Sequence, residues 1–151
     1  MKSLIAVIGA GQCDDRIYSK AYDVGRHIAE KKFGLICGGL GGVMEAAAKG
    51  CRDAGGITVG IIPQEDGSAA NPYIDIVIPT GMSIMRNLLI IRAAAGIVAV
   101  DGKYGTLSEI AYALQLKKPI VGLDTWDVSE TIIKAQSAEE AVFTIVGIIG
   151  K

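Results

Sequence analysis

Aromatic residues make up only 5% of this 151-residue chain, although half of it is hydrophobic. The apolar mass is therefore mostly Ala, Val, Ile and Leu, which suits buried parallel strands covered by helices. An excess of charge is missing too. Fifteen basic residues stand against 16 acidic ones, a formal net charge of −1. No global field draws a polyanion, so no nucleic-acid partner is expected. No run approaches the ~18 apolar residues of a membrane span. The chain passes from Met1-Lys2-Ser3 straight into a short apolar run ending in glycine. That run is too short for a signal peptide, so the expectation is a cytoplasmic protein with no membrane partner. Cys13, Cys37 and Cys51 form no C-x-x-C pair, and His27 is the one histidine available to join them. A structural zinc site needs about four ligands. No metal site is expected, and the cysteines read as buried or semi-buried free thiols.

Glycine is what the chain has in quantity, 20 residues, in clusters rather than in a repeat. Clustered glycines mark tight turns and close backbone approach. Between them, strand-like and helix-like runs alternate. Ser3–Gly9 reads as a strand, followed by a helix capped by Asp14 or Asp15 that reaches about Lys32. Phe33–Cys37 is a second strand, and a helix runs from Val43 to about Ala54 before Gly55-Gly56. Ile57–Ile62 and Ile74–Ile78 are strands on either side of a loop at Gln64–Tyr73. A helix Ile84–Ala95 capped by Ser83, strand Gly96–Val100, a helix at about Thr106–Lys117, strand Pro119–Leu123 and a helix from about Ala138 to Ile148 complete the series. The stretch around Trp126 fits neither pattern. This alternation predicts one α/β domain over residues 1–151, Rossmann-like, doubly wound and three-layered. Its sheet should be mostly parallel, with about six or seven strands. In Ile84–Ala95 the apolar positions cover most of the circumference. An outward apolar face of that kind predicts a homodimer or homotetramer built through this helix.

Ligands of open α/β sheets sit beyond the carboxyl ends of the strands, and four glycine-bearing turns are expected there. Gly9-Ala10-Gly11-Gln12-Cys13-Asp14 begins like a dinucleotide fingerprint, but Asp14 replaces the third glycine. The second strand ends in Cys37-Gly38-Gly39 rather than in the acidic residue that would hold a ribose diol, which disfavours NAD. Gly38-Gly39-Leu40-Gly41-Gly42 opens directly into a helix and reads as a phosphate or carboxylate cradle. In Gly102-Lys103-Tyr104-Gly105-Thr106, Thr106 could cap a helix and bind a phosphate oxygen, with Glu109 completing an ordinary T-x-x-E capping box or serving as a catalytic carboxylate. Thr80-Gly81-Met82-Ser83 precedes Arg86, whose charge needs a partner in an apolar helix, either Glu109 or a ligand phosphate.

At GGLGGVMEAAAKG (38–50), TGMSIMRN (80–87) and DGKYGTLSE (101–109) the chain resembles the Rossmann-like proteins long labelled possible lysine decarboxylases. These include the Lonely Guy phosphoribohydrolases, the DNA-processing/Smf-related proteins and the molybdenum-cofactor carrier proteins. The hydrolases carry P-G-G-x-G-T-x-x-E. Here Gly102, Gly105, Thr106 and Glu109 match, while Asp101 and Lys103 replace the proline and the second glycine. They also carry M-x-x-R-K, where Asn87 takes the lysine position. The resemblance makes Arg86 and Glu109 the catalytic pair. With the four turns read above, the expected ligand- and phosphate-binding set is Gly9, Gly11, Gly38, Gly39, Gly41, Gly42, Thr80, Gly81, Arg86, Asn87, Gly102, Gly105 and Thr106. Lys103, and Ser108 where a second carboxylate would stand, place the chain nearer the DNA-processing and carrier-like branch. That branch implies a carrier or sensor of a small phosphorylated ligand, a nucleotide or a molybdopterin-type molecule, with no cofactor required for chemistry. The alternative is a phosphoribohydrolase releasing base and ribose 5-phosphate from a nucleoside 5′-monophosphate. Lysine decarboxylation is excluded because no motif supplies an electron sink.

Overall fold

The computed structural model describes residues 3–151. The expectation for Met1 and Lys2 lies outside the described residues. The elements follow the order β1 (Leu4–Gly9), α1 (Asp15–Glu30), β2 (Gly34–Cys37), α2 (Val43–Asp53), β3 (Thr58–Ile62), β4 (Ile76–Pro79), α3 (Asn87–Ala93), β5 (Gly96–Val100), α4 (Tyr104–Gln115), β6 (Ile120–Leu123), β7 (Ile133–Lys134) and α5 (Ala138–Ile149). All seven strands pair in parallel, in the order β4-β3-β2-β1-β5-β6-β7. The Rossmann-like three-layer architecture expected from the alternating pattern is the one observed.

Alternation along the strands builds two cores. Ile5, Val7, Leu35, Cys37, Val98 and Val100 face α1, α2 and α5. Ala6, Ile8, Ile36, Ile97 and Ala99 face α3 and α4. The central strands are buried on both faces, as parallel strands between helical layers must be. The chain winds from β1 out to β4, then returns to place β5 against the other side of β1. The loops after β1 and β5 therefore diverge, which opens a crevice at the carboxyl end of the sheet.

α1 begins as its sequence demands. Asp14 sits in an extended conformation and its Oδ1 accepts the Ile17 N–H at 2.8 Å. Asp14→Ala is expected to cost about 1 kcal/mol, a fall of roughly 2–4 °C in Tm for a chain of this size, measurable by thermal melting.

Three local expectations are corrected. The helix expected at Ile84–Ala95 is a 3-10 turn, Ser83–Arg86, followed by the shorter α3, and Ser83 makes no side-chain cap. Ser83 has φ +54°, which turns the chain sharply before any α-helical turn closes. Ile84 and Met85 stand 75% and 65% exposed, whereas Ile90 and Ile91 are buried, so the apolar surface lies at the turn and not around the helix. The strand expected at Ile74–Ile78 starts two residues later. Asp75 is occupied with Thr58, whose N–H and hydroxyl its Oδ2 accepts. The ambiguous stretch around Trp126 leads into the two-residue β7.

Candidate functional site

A cleft of about 450 Å³ opens at the crevice between the β1 and β5 loops. Its walls come from the turn after β1, the end of β2, the start of α2, the 3-10 turn before α3 and the first turns of α4. Of the residues expected from sequence, Gly9, Gly11, Gly38, Arg86, Asn87, Gly105, Thr106 and Glu109 line it. Gly39, Gly41, Gly42, Thr80, Gly81 and Gly102 do not.

Those six hold the backbone that shapes the cleft. Gly42 has φ +61°, and a Cβ there would lie 2.3 Å from the Ala10 oxygen. Gly41 packs against the Gly11 carbonyl in the same way. The Val43 N–H, first of α2, donates to that Ala10 oxygen at 3.0 Å. The start of α2 is thus bonded to the neighbouring loop. Gly39 and Gly81 also hold positive φ. Thr80 donates its hydroxyl to the Ile62 oxygen at 2.7 Å and accepts the Met82 N–H, locking the turn after β4. Gly102, at φ +113°, lies over the Thr106 side chain, where a Cβ would be 2.4 Å from Thr106 Cβ.

The start of α4 is different. The helix opens at Tyr104, with Lys103 before it and no side-chain cap. Thr106 and Glu109 both lie inside the helix, so the T-x-x-E capping box does not form. Leu107 N–H makes the first intrahelical bond, to the Lys103 oxygen. The N–H groups of Tyr104, Gly105 and Thr106 precede it, and a helix start of this kind favours an anion. A Cβ added at Gly105 would meet no atom within 4 Å. One added at Gly11 would meet only Met44 Cε, at 3.9 Å. These two glycines leave open cleft where a side chain would stand.

Arg86 is 7% exposed and is bound by the fold. Its Nε donates to the Ile61 oxygen at 2.9 Å and its Nη2 to the Gly38 oxygen at 3.3 Å, while Nη1 donates to Asn87 Oδ1. Gly38 is bare because a Cβ there would lie 2.8 Å from Arg86 Nη2. Asn87 in turn donates to the Ser108 hydroxyl at 3.1 Å. The partners expected for Arg86 were Glu109 or a phosphate. The observed ones are the strand-end carbonyls of β2 and β3, with Asn87.

Glu109 is also 7% exposed and has no hydrogen-bond or ion-pair partner among the described residues. Burial pushes its carboxyl up to about 8, and the Arg86 charge pulls the other way. Arg86 itself is lowered, chiefly by burial and against the charge of Glu109. Burial also pushes the Cys37 thiol up to about 12. Glu109 lies four residues after Gly105, on the same face of α4, so the bare glycine leaves its carboxyl open to the cleft.

Ala10, Gln12, Met44, Ile84 and Lys103 line the cleft as well and were not among the expected site residues. Lys103 was legible only as a departure from the hydrolase motif. Gln12, beside Gly11 in a turn already singled out, was the other available signal. Met44 and Ile84 carry none in their sequence context.

Such an architecture, with its cleft at the point where the strand order reverses, defines a Rossmann-like α/β protein with an open cleft at the carboxyl ends of its strands. The chain belongs to the SLOG cluster 4 family, whose model matches residues 2–149. An uncharacterized protein of Archaeoglobus fulgidus is 46% identical over 138 residues, 91% of each chain. Among solved structures, the molybdenum cofactor binding protein of Rippkaea orientalis is 32% identical with a TM-score of 0.93, over 99% of this chain and 98% of that one. The molybdenum cofactor carrier protein of Chlamydomonas reinhardtii is 31% identical with a TM-score of 0.91, over 99% and 100%. The carrier-like branch indicated by Lys103 and Ser108 is the one these neighbours occupy.

Proposed function

We propose that the protein binds a phosphorylated, molybdopterin-type ligand in this cleft and holds it without cleaving it, as a carrier. The observation that carries the reading is the uncapped start of α4, with Lys103 beside it and Gly105 opening onto empty space. Free N–H groups, a partial positive charge and a lysine together suit a phosphate. The whole-length likeness to a molybdenum cofactor binding protein and a carrier protein supports a pterin-bearing ligand.

Two observations favour holding over hydrolysis. A carboxyl pushed up to about 8 is mostly protonated at neutral pH, so only a minor fraction is available as a general base. Arg86 is tied to strand-end carbonyls rather than free to follow charge on a leaving group.

The test uses the fluorescent, oxidised, phosphorylated pterin obtained from molybdopterin, with AMP as the nucleotide probe. Gly105→Leu should weaken pterin binding at least about tenfold, equivalent to about 1.4 kcal/mol. It should melt at or above the wild-type temperature, since a Cβ there meets no atom within 4 Å and leucine replaces a weak helix former. Unchanged binding in that variant would remove the proposed site. Release of ribose 5-phosphate from AMP would replace the carrier with the phosphoribohydrolase.

A further inference from the structure

The anion subsite occupies the mouth of the cleft and leaves its floor unexplained. Glu109 lies about 6 Å further along α4 than Gly105, at 1.5 Å per residue. No described residue hydrogen-bonds it. Three donors of Arg86 are engaged with Ile61, Gly38 and Asn87. Asn87 uses its oxygen on Arg86 and its amide on Ser108. Thr106 is buried beneath Gly102. Its carboxyl, without a protein hydrogen bond, is open to a cleft whose lining also includes the half-buried Met44 and, at the rim, the exposed Ile84. Bare glycine backbone and the Met44 side chain beside an unmatched carboxyl suit a flat heterocycle with a polar edge.

The identity of that edge follows from the chemistry of the carboxyl. An acid offers one O–H donor beside one C=O acceptor. Its complement is a ring N–H next to a ring carbonyl, the amide-type edge of a pterin or another oxo-heterocycle. A carboxylate offers two acceptors and would instead pair with two adjacent donors. We propose that Glu109 is the specificity-determining residue of the cleft and that, as the acid, it hydrogen-bonds the amide-type edge of the ligand's heterocycle while the phosphate lies at the start of α4. This rests on the carrier reading above and adds the orientation of the ligand within it. The titratable and charged groups facing Glu109 are Arg86 from the turn before α3, Cys37 at the end of β2 and Lys103 at the mouth of the cleft. Arg86 pulls the carboxyl down, yet burial outweighs it. Cys37 is held neutral by its own burial.

The experiment measures the affinity of the same oxidised, phosphorylated pterin for wild type, Glu109→Gln and Glu109→Leu, between pH 6 and 9. Glutamine keeps one donor and one acceptor, so it should bind within about threefold of wild type at pH 6–7, whereas leucine should weaken binding roughly 10- to 100-fold. The ratio of wild-type to glutamine affinity cancels the titration of the ligand itself. It should be flat at pH 6–7 and fall above pH 8 as Glu109 loses its proton. Three results overturn the proposal: glutamine and leucine equally weak, with wild-type affinity rising relative to glutamine as the pH rises (the carboxylate reading); all three proteins equal; or no binding by wild type. Only the last also removes the carrier reading. A normal thermal melt for each variant excludes loss of fold as the cause.

Discussion

Glu109→Gln is expected to raise the Tm at pH 8 by on the order of 10 °C while leaving it nearly unchanged at pH 4.5. The wild-type carboxyl titrates at about 8 in the folded protein, against an ordinary value of 4.5, and burial is the main cause. Below pH 4.5 both the folded and the unfolded chain carry the proton, and the residue imposes no penalty. Between pH 4.5 and 8 the unfolded chain releases its proton while the folded chain keeps it. Stability therefore falls as pH rises through that window, and above about 8 the loss is complete. At 1.36 kcal/mol for each pH unit between the two values, the full loss is on the order of 5 kcal/mol. One kcal/mol moves the Tm by about 2–4 °C in a domain of this size. Glutamine cannot ionise in either state, so the variant should lack this slope. Melting curves at half-unit intervals from pH 4.5 to 9 measure it. Parallel curves for the two proteins would mean that Glu109 is ionised in the folded state.

The same residue shows how far the amino-acid pattern carries. Alternating strands and helices gave the layers, the parallel sheet and the strands through β6, because hydrophobic period is a property of each segment alone. β7 escaped because two exposed edge residues have no period. The cleft was legible in outline, since Gly11, Gly38, Gly105, Arg86 and Glu109 all reach it. What the pattern did not separate was glycine that bends the backbone from glycine that bares it. Gly42 and Gly102 are required by positive φ and close contacts, whereas Gly105 has open space around it. That distinction is tertiary, because it depends on whether Ala10 or Thr106 lies opposite. The capping box failed for a related reason. Asp101 and Gly102 both turn at positive φ, so α4 starts at Tyr104 and carries Thr106 and Glu109 into its interior.

Arg86→Ala should cost about 3–5 kcal/mol of folding stability and abolish ligand binding, although the arginine need not touch the ligand. Its guanidinium spans the ends of two neighbouring strands, joining the Ile61 oxygen of β3 to the Gly38 oxygen just beyond β2. It also holds Asn87, which holds Ser108 on α4. Alanine leaves two strand-end carbonyls and an amide oxygen without donors at a buried position. It also removes the positive charge that restrains Glu109, whose carboxyl would then titrate still higher. Lysine should restore at most part of the loss. A single ammonium on a flexible stem does not reproduce a planar fork of donors, and the space beside Gly38 is shaped to Nη2. Thermal melting and pterin binding, measured together on both variants, separate the possible roles. Melting temperature and affinity falling together, with lysine intermediate in both, is the signature of a positioning residue. An alanine variant that melts like wild type but binds nothing would show that Arg86 serves the ligand rather than the strand ends. It would also reopen the catalytic assignment that the resemblance to the phosphoribohydrolases first suggested.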